Sequence, residues 1–252
     1  MSDVGDVNET NKVNAVHELN ATDAANAAER AAGGDLHPYT REMVMIHRIF
    51  RRESRVMAEL IGRVTPGDTA RAAALAGSWR TYAAGLHLHH TGEDELLWPK
   101  LRARAELDAE LVSRMQAQHR ELSANLEEVE MLLARWAAHT SAAEGADLAE
   151  ALAHHHRILC AHLDEEERAV MPLVARHVTE AEWRAVGDRG LAEVPRNRRL
   201  IALGAILEDA TAQERAEFLG RLPAPARLMW HLVGRRQYRR EMNRIRGSHD
   251  RG

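Results

Sequence analysis

Four stretches of the chain repeat their apolar residues at intervals of three and four, with polar residues between them. This spacing places the apolar side chains on one face of an α-helix. The stretches run from about 38 to 64, 68 to 104, 108 to 139 and 147 to 177. Because the linkers between them are short, neighbouring helices should run antiparallel. The pattern predicts an all-α fold, namely an up-down-up-down four-helix bundle.

The two ends of the chain follow other patterns. Residues 1–35 are acidic and lack apolar periodicity, which predicts a disordered tail. Residues 179–252 contain shorter helical patterns, two of which begin with the Thr-x-x-Glu sequence of a capping box, at Thr179 and Thr211. We therefore predict a C-terminal helical extension, which ends in a strongly basic segment.

Composition narrows the class of protein. Aromatic residues make up only 4% of the chain. No run of about 18 apolar residues occurs, so no membrane span is expected. Cys160 is the single cysteine, which excludes an internal disulfide framework. The N-terminus lacks the basic start and apolar core of a secretory signal, and we expect a cytoplasmic protein. Fifteen histidines are more than helix packing requires.

Two of these histidines precede a glutamate by four residues. His89 precedes Glu93, and His162 precedes Glu166. Residues i and i+4 lie one above the other on a helix, so each pair offers an imidazole and a carboxylate to the same point. Both pairs lie on the apolar face of their predicted helix, where an unpaired charge would be costly.

A single histidine precedes each pair at nearly the same distance. His47 lies 42 residues before His89, and His119 lies 43 residues before His162. Four imidazoles and two carboxylates exceed the four ligands of an ordinary zinc site, so the set suits two metal ions. Mixed histidine and carboxylate ligands suit a pair of iron or manganese ions, and the ligand set does not distinguish the two metals. The predicted metal ligands are His47, His89, Glu93, His119, His162 and Glu166.

Each pair is also followed by a proline at the same offset. Pro99 and Pro172 come six residues after Glu93 and Glu166. Because proline removes a helical hydrogen bond, each should kink or break its helix just past the ligands.

These residues and their order resemble the hemerythrin family, specifically its bacterial hemerythrin-like (HHE cation-binding) branch. The resemblance covers about residues 38–178, with Leu97-Trp98-Pro99 and Val170-Met171-Pro172 included. It implies a four-helix domain at 36–178 around a non-haem centre of two iron ions. Glu93 and Glu166 would bridge the two ions, and the four histidines would be terminal ligands.

The chain departs from oxygen-carrying hemerythrins, which the pattern resembles but which supply five histidines, two of them one turn apart on the third helix. Here Met115 and Ser123 flank His119 at that spacing. We therefore expect fewer protein ligands and an open position, which favours redox reaction over reversible O₂ storage. Four further histidines fall off the inward face and are expected to be exposed to solvent: His87, His90, His154 and His156.

Tyr82 and His155 lie seven residues before His89 and His162, so both should point into the bundle one level from the metals. Either could donate a hydrogen bond to the centre or replace a ligand. A purely structural role in the core fits the pattern equally well.

Two functional classes remain open from the sequence. One is an oxidoreductase acting on a small diatomic ligand or peroxide, and the other is a sensing or iron-binding regulatory module that acts through the C-terminal helices. Those helices could also contact a second copy or another protein, whereas nucleic acid is not the expected partner of their basic end. The chain contains neither the Glu-x-x-His of ferritin-like proteins nor the His-Glu-x-x-His of metalloproteases.

Overall fold

The computed structural model describes residues 38–105 and 109–247, and the predicted tail at 1–35 lies outside this range. The described residues form helices and no strands, which confirms the predicted all-α fold. Six helices build the bundle: α1 (Pro38–Gly62), α2 (Thr69–Gly92), α3 (Trp98–Arg104), α4 (Ala109–His139), α5 (Ala142–Glu165) and α6 (Met171–His177). Helices α2 and α3 together form the second long rod, and α5 and α6 form the fourth.

The order of apolar residues along these rods gives their directions. Met43 of α1 belongs to one buried apolar cluster, and Phe50, about two turns later, belongs to another. Helix α4 passes through the two clusters in the same order, with Met115 before Leu122. The second and fourth rods pass through them in the opposite order, as Leu86 and Leu97 show for the second. The helices therefore run up, down, up and down, and the two apolar clusters leave a layer between them.

The fourth rod begins earlier than its apolar pattern predicts. Ser141 caps α5 by accepting a hydrogen bond from the backbone N–H of Glu144, so the helix starts at Ala142 instead of near Asp147. The first helix ends at Gly62, just short of the predicted Val64. These shifts are small because element ends depend on local capping more than on periodicity.

Pro99 and Pro172 do not interrupt the helical rods. Each follows a five-residue π-helical turn, Glu93–Leu97 in the second rod and Glu166–Val170 in the fourth. A proline at position i lacks the N–H that would bond to the carbonyl of residue i−4 and clashes with that carbonyl. The wider π turn offers a way to absorb this conflict, and such turns often occur at functional sites. Both π turns begin at a predicted ligand.

The extension continues with five α-helices that pack beside the bundle. They are α7 (Glu180–Glu193), α8 (Arg199–Glu208), α9 (Ala212–Arg221), α10 (Ala224–Met229) and α11 (Arg235–Arg246). Thr179 and Thr211 form the two predicted capping boxes. A third apolar cluster, centred on Leu207, Trp230 and Tyr238, holds the extension together. Among the described helices, each is too short or too polar to span a lipid bilayer.

Ion pairs attach the extension to α1. Arg246 of α11 binds Glu53 at 2.6 Å and Glu208 of α8 at 2.6 Å. Arg52 of α1 lies 3.2 Å from the same Glu208. Because these side chains are largely shielded from solvent and form a network, they fix the position of the extension better than isolated surface pairs would.

Close packing of α8 on α11 depends on Gly204. A Cβ atom added at this position would lie 2.3 Å from Cγ of Tyr238. We expect Gly204→Ala to destabilise the protein by about 1–3 kcal/mol, because the ring or the helix must shift. The measurement is the melting temperature of the purified variant.

The matched control is Gly187→Ala in α7, where an added Cβ meets nothing within 4 Å. Alanine in a helix interior is favoured over glycine by about 1 kcal/mol, so this variant should be as stable as the wild type or slightly more stable. Equal melting temperatures for the two variants would contradict the close approach of α8 and α11.

Candidate metal centre

All six predicted ligands lie in the layer between the two apolar clusters of the bundle. They come from α1, α4 and the two π-turn rods, so each long helix contributes at least one. Their metal-binding atoms fall into two groups, and within each group the atoms lie within 4.8 Å of one another. One group is His47, His89, Glu93 and Glu166, and the other contains His119 and His162. The structure therefore brings together all six residues that the sequence singled out.

The second group has a third member that the sequence analysis placed wrongly. His90 was expected to face solvent, but it is buried, with 4% of its surface exposed. Its ring stacks on that of His119, with ring centres 4.1 Å apart and planes 12° apart. A fifth histidine therefore lies at the centre, on the second rod instead of the third. The expectation that His90 faces solvent was wrong, and the absence of a second histidine on the third helix no longer implies fewer ligands.

The two glutamates belong to the first group but also face the histidines of the second group. Glu93 directs Oε1 toward Nε2 of His89, at 3.2 Å, and Oε2 toward Nε2 of His119, at 3.5 Å. Oε2 of Glu166 lies 3.3 Å from Nε2 of His47 and 3.8 Å from Nε2 of His162. Each carboxylate thus faces histidines of both groups, which is the arrangement of a bridging ligand.

The atoms that point into the centre have no hydrogen-bond partner among the described residues. They are the Nε2 atoms of all five histidines and all four carboxylate oxygens of Glu93 and Glu166. Buried polar atoms are nearly always paired in folded proteins, because an unpaired one costs free energy. Nine such atoms converging in one place fit bound cations, which would satisfy all of them at once. The donor set therefore fits a metal centre.

The outer nitrogens of three histidines are held by side chains behind them. The pairs are His47 with Glu167 at 2.8 Å, His119 with Asp94 at 3.2 Å and His162 with Gln118 at 2.9 Å, each through Nδ1. Such a bond fixes the ring orientation and the tautomer, leaving Nε2 free to bind a metal. A carboxylate partner also makes the imidazole more basic than an amide does.

Glu167 is itself held as an anion. Burial opposes its ionisation, but hydrogen bonds from His47 and Arg51 lower its pKa to about 2. Arg51 reaches Glu167 at 2.6 Å and Asp164 at 2.6 Å from a largely buried position. This chain of contacts anchors the imidazole of His47 to the fourth rod.

Burial disfavours every charge that the central residues could carry alone. It raises the pKa of Glu93 well above its usual range, and the nearby Glu166 carboxylate adds to the rise. Burial also lowers the pKa values of His89, His90 and His162 well below that of free imidazole, and neighbouring histidines add to this effect. Neutral imidazole is the form that binds metals, and bound cations would neutralise the carboxylates.

Tyr82 and His155 bond to each other one level from the centre. The Tyr82 hydroxyl lies 2.6 Å from Nε2 of His155, whose Nδ1 lies 2.8 Å from Oδ1 of Asn125. Within the described residues, neither forms a hydrogen bond to a central residue. The ring of Phe50 stands between, 6.0 Å from that of Tyr82 and 5.1 Å from that of His89. Their predicted role at the centre stays a prediction.

The other off-face histidines differ in their surroundings. His87 is exposed as expected, and His154 is half-buried. His156 was expected to be exposed but is buried, with its Nδ1 2.7 Å from Oγ of Ser54. A polar partner on α1 explains why a histidine away from the inward stripe is tolerated in the interior.

The sequence contains one signal that His90 faces the interior. Leu86, His90, Glu93 and Leu97 are separated by four, three and four residues, so His90 fits the inward stripe as well as His89 does. The partners behind the ligands carry no comparable signal, because Asp94, Gln118 and Glu167 meet their histidines only across helices.

A comparison with protein families bears on this centre. The model of the hemerythrin HHE cation-binding domain matches residues 39–174, which is more than half of the chain. Comparison with curated proteins and with solved structures gave no match. The matched range includes all seven central residues and ends before α7 begins at Glu180.

Proposed function

The chain belongs to the hemerythrin HHE cation-binding family, and on this premise we propose that its centre holds two non-haem iron ions that bind or react with O₂, peroxide or nitric oxide. The observation that carries the proposal is the convergence of nine unpartnered, buried ligand atoms from five histidines and two glutamates. Two ions account for this number, since a single zinc-like site closes with four ligands. Imidazole and carboxylate together suit iron or manganese.

The grouping of the side chains suggests how two ions would be shared. His90, His119 and His162 would hold one ion, and His47 and His89 the other. Glu93 and Glu166 would bridge them, as their contacts with both groups suggest. Bound iron would supply the redox chemistry that no side chain here can supply.

This assignment is asymmetric. The asymmetry, and not a missing histidine on the third helix, predicts an open coordination position. One ion would have three histidines and the other only two, so the second would keep an open coordination position. Open positions are where bound metals meet small ligands. The apolar ring of Phe50 lies against His89 on this side, where it would limit access of bulk water to such a position.

A polar groove opens to the surface beside His119, which would hold the other ion. It is lined by residues of the first π turn and α4, among them Asp94, His119 and Arg120. His119 is nearly buried, whereas 37% of the Asp94 side chain is exposed. We propose this groove as the route by which small oxidants or incoming metal ions would approach the centre, because His119 lines it.

A second candidate function is sensing through the extension. The observation that favours it is the position of α1, which carries His47 at the centre and, one residue later, Arg48 bound to Glu214 of α9 at 2.8 Å. A change at the centre that moves α1 would therefore reach the extension directly. The redox state of the metals would then control what the extension binds.

Iron reconstitution of the full chain tests the proposal. We expect about two irons per chain, oxo-to-iron absorption bands in the near-ultraviolet, and consumption of added peroxide that Glu166→Ala abolishes. One iron per chain or fewer under saturating supply would contradict the dinuclear centre.

The same preparation separates the two candidate functions. Binding of two irons without turnover of peroxide or O₂ would contradict an enzymatic function and favour the sensing function. The sensor in turn requires that reduction of the irons alters hydrogen exchange in α9, and that Glu214→Gln weakens this response. Unchanged exchange in α9 in both redox states would contradict it.

A further inference from the structure

One continuous helical segment of the extension exposes both apolar and basic side chains on its outward side. It runs through α10, the π turn Trp230–Gly234 and α11. Leu228, Met229, Leu232 and Val233 are 58%, 45%, 61% and 45% exposed. From this side we propose a docking surface for an anionic lipid bilayer, here called the outer face and formed by Leu228, Met229, Leu232, Val233, Arg235, Arg236, Arg239 and Arg240.

The register of the segment places these residues on a common side. Leu228, Leu232, Arg236 and Arg240 follow at intervals of four, so they line one edge of the segment. The opposite edge carries the buried residues that pack on α8 and the bundle, namely Trp230, Gly234, Tyr238 and Ile245. The apolar side chains of the outer face are therefore not needed to hold the extension together.

The packing beneath the outer face is tight. A Cβ atom at Gly234 would lie 2.4 Å from the ring of Trp230, and the Tyr238 hydroxyl bonds to Glu208 at 2.5 Å. The segment thus presents its outward side from a fixed position. A rigid surface loses little conformational freedom when it docks.

The charge on the outer face is unbalanced. None of its four arginines has a carboxylate within ion-pair distance among the described residues. By contrast, Arg198 is paired with Glu241 and Arg246 with Glu208. The outer face therefore carries four arginines without carboxylate partners in the described part of the chain, on the same side that exposes leucine, methionine and valine.

This combination fits a bilayer better than other partners. Arginines can bind lipid phosphates while the apolar side chains enter the region just beneath the headgroups. Nucleic acid would bind the arginines but gain little from four exposed apolar side chains. A second copy would bring the same arginines into repulsion with these.

The test uses the full chain and sedimentation with lipid vesicles. We expect binding to vesicles of phosphatidylcholine mixed with phosphatidylglycerol, weak binding to pure phosphatidylcholine, and weakening by salt. Arg236→Gln with Arg240→Gln should reduce binding at least tenfold, since each arginine near an anionic surface contributes roughly fivefold. Leu228→Ser with Leu232→Ser should reduce it as well.

The matched control is Met131→Ser with Arg135→Gln on α4. Met131 is 65% exposed and Arg135 lies one turn away, yet both are on the bundle. This variant should bind vesicles like the wild type. Melting temperatures verify that each variant is folded.

Three outcomes would overturn the proposal. Equal affinity for neutral and anionic vesicles would contradict binding of lipid phosphates by the arginines. A dimer that dissociates in the Leu228 and Leu232 variant would assign the face to a second copy. Binding to duplex DNA that depends on the arginines, without binding to vesicles, would assign it to nucleic acid. Because the outer face lies outside the metal centre, vesicle binding is independent of iron content and of the proposed function.

Discussion

Glu93→Gln is expected to lower the melting temperature of the iron-loaded protein by roughly 8–16 °C while leaving the metal-free protein as stable as the wild type or more so. A ligand at a thousandfold its dissociation constant stabilises a fold by about 4 kcal/mol, and each kcal/mol shifts the melting temperature of a chain this size by about 2–4 °C. The amide binds metal poorly, so this gain is lost. Without metal, however, the amide removes a buried carboxylate that lies against Glu166.

The pH dependence of stability in the metal-free protein tests whether burial of the Glu93 carboxylate is the cause. The pKa of Glu93 is raised in the fold, chiefly by burial. A carboxyl whose pKa is raised in the fold makes its full contribution to the free energy of unfolding when the pH is below its unfolded-state pKa, about 4.3. This contribution is lost as the pH rises through the folded-state pKa. The contribution of Glu93 to the stability of the metal-free wild type should therefore fall as the pH rises above about 4.3, whereas the buried histidines, whose pKa values are lowered, give the opposite trend in both proteins. Glu93→Gln should therefore gain stability relative to the wild type as the pH rises.

Thermal melts with and without iron, over this pH range, measure both effects. The control is Glu128→Gln on the exposed side of α4, which should change neither curve. Equal melting temperatures of the iron-loaded wild type and iron-loaded Glu93→Gln would contradict a role of Glu93 as a metal ligand.

His90→Ala is expected to reduce the iron content from about two per chain to one or fewer. His90 is buried, stacks on His119, and directs an unpartnered Nε2 into the centre. Its loss would leave the ion that His119 and His162 would hold with two histidines in place of three. Metal analysis after dialysis and the near-ultraviolet spectrum measure the change.

His87→Ala is the matched control, because His87 lies on the same helix but is exposed. It should retain the wild-type iron content and spectrum. If His90→Ala also retains two irons with unchanged affinity, His90 is a packing residue and the centre has only the six ligands that the sequence singled out.

Much of the local architecture could be predicted from the sequence. Apolar spacing predicted the four long rods, and the Thr-x-x-Glu sequences at Thr179 and Thr211 predicted the capping boxes of two extension helices. Both predictions succeed because periodicity and capping depend on residues within one or two turns. The spacing of His89 to Glu93 and of His162 to Glu166 gave the two pairs for the same reason. The prolines indicated where the rods would deviate, but not that a π turn would absorb them.

Other features depend on how the helices pack. His89 and His90 are neighbours, and whether one or both enter the interior depends on how the second rod is rotated toward the others. His156 is buried because Ser54 of α1 lies opposite, and no local pattern encodes that contact. The same holds for the Glu167, Asp94 and Gln118 side chains that orient the histidines across helix interfaces.

The sequence by itself determined the helices, their alternating directions and six of the seven central residues, since each follows from spacing along one chain segment. Only the tertiary structure decided that a fifth histidine lies at the centre, that the seven side chains form two groups, and that each glutamate faces histidines of both groups. The physical reason is that metal ligands must meet within a few ångströms across different helices. That distance is set by packing at the helix interfaces, which no single segment encodes.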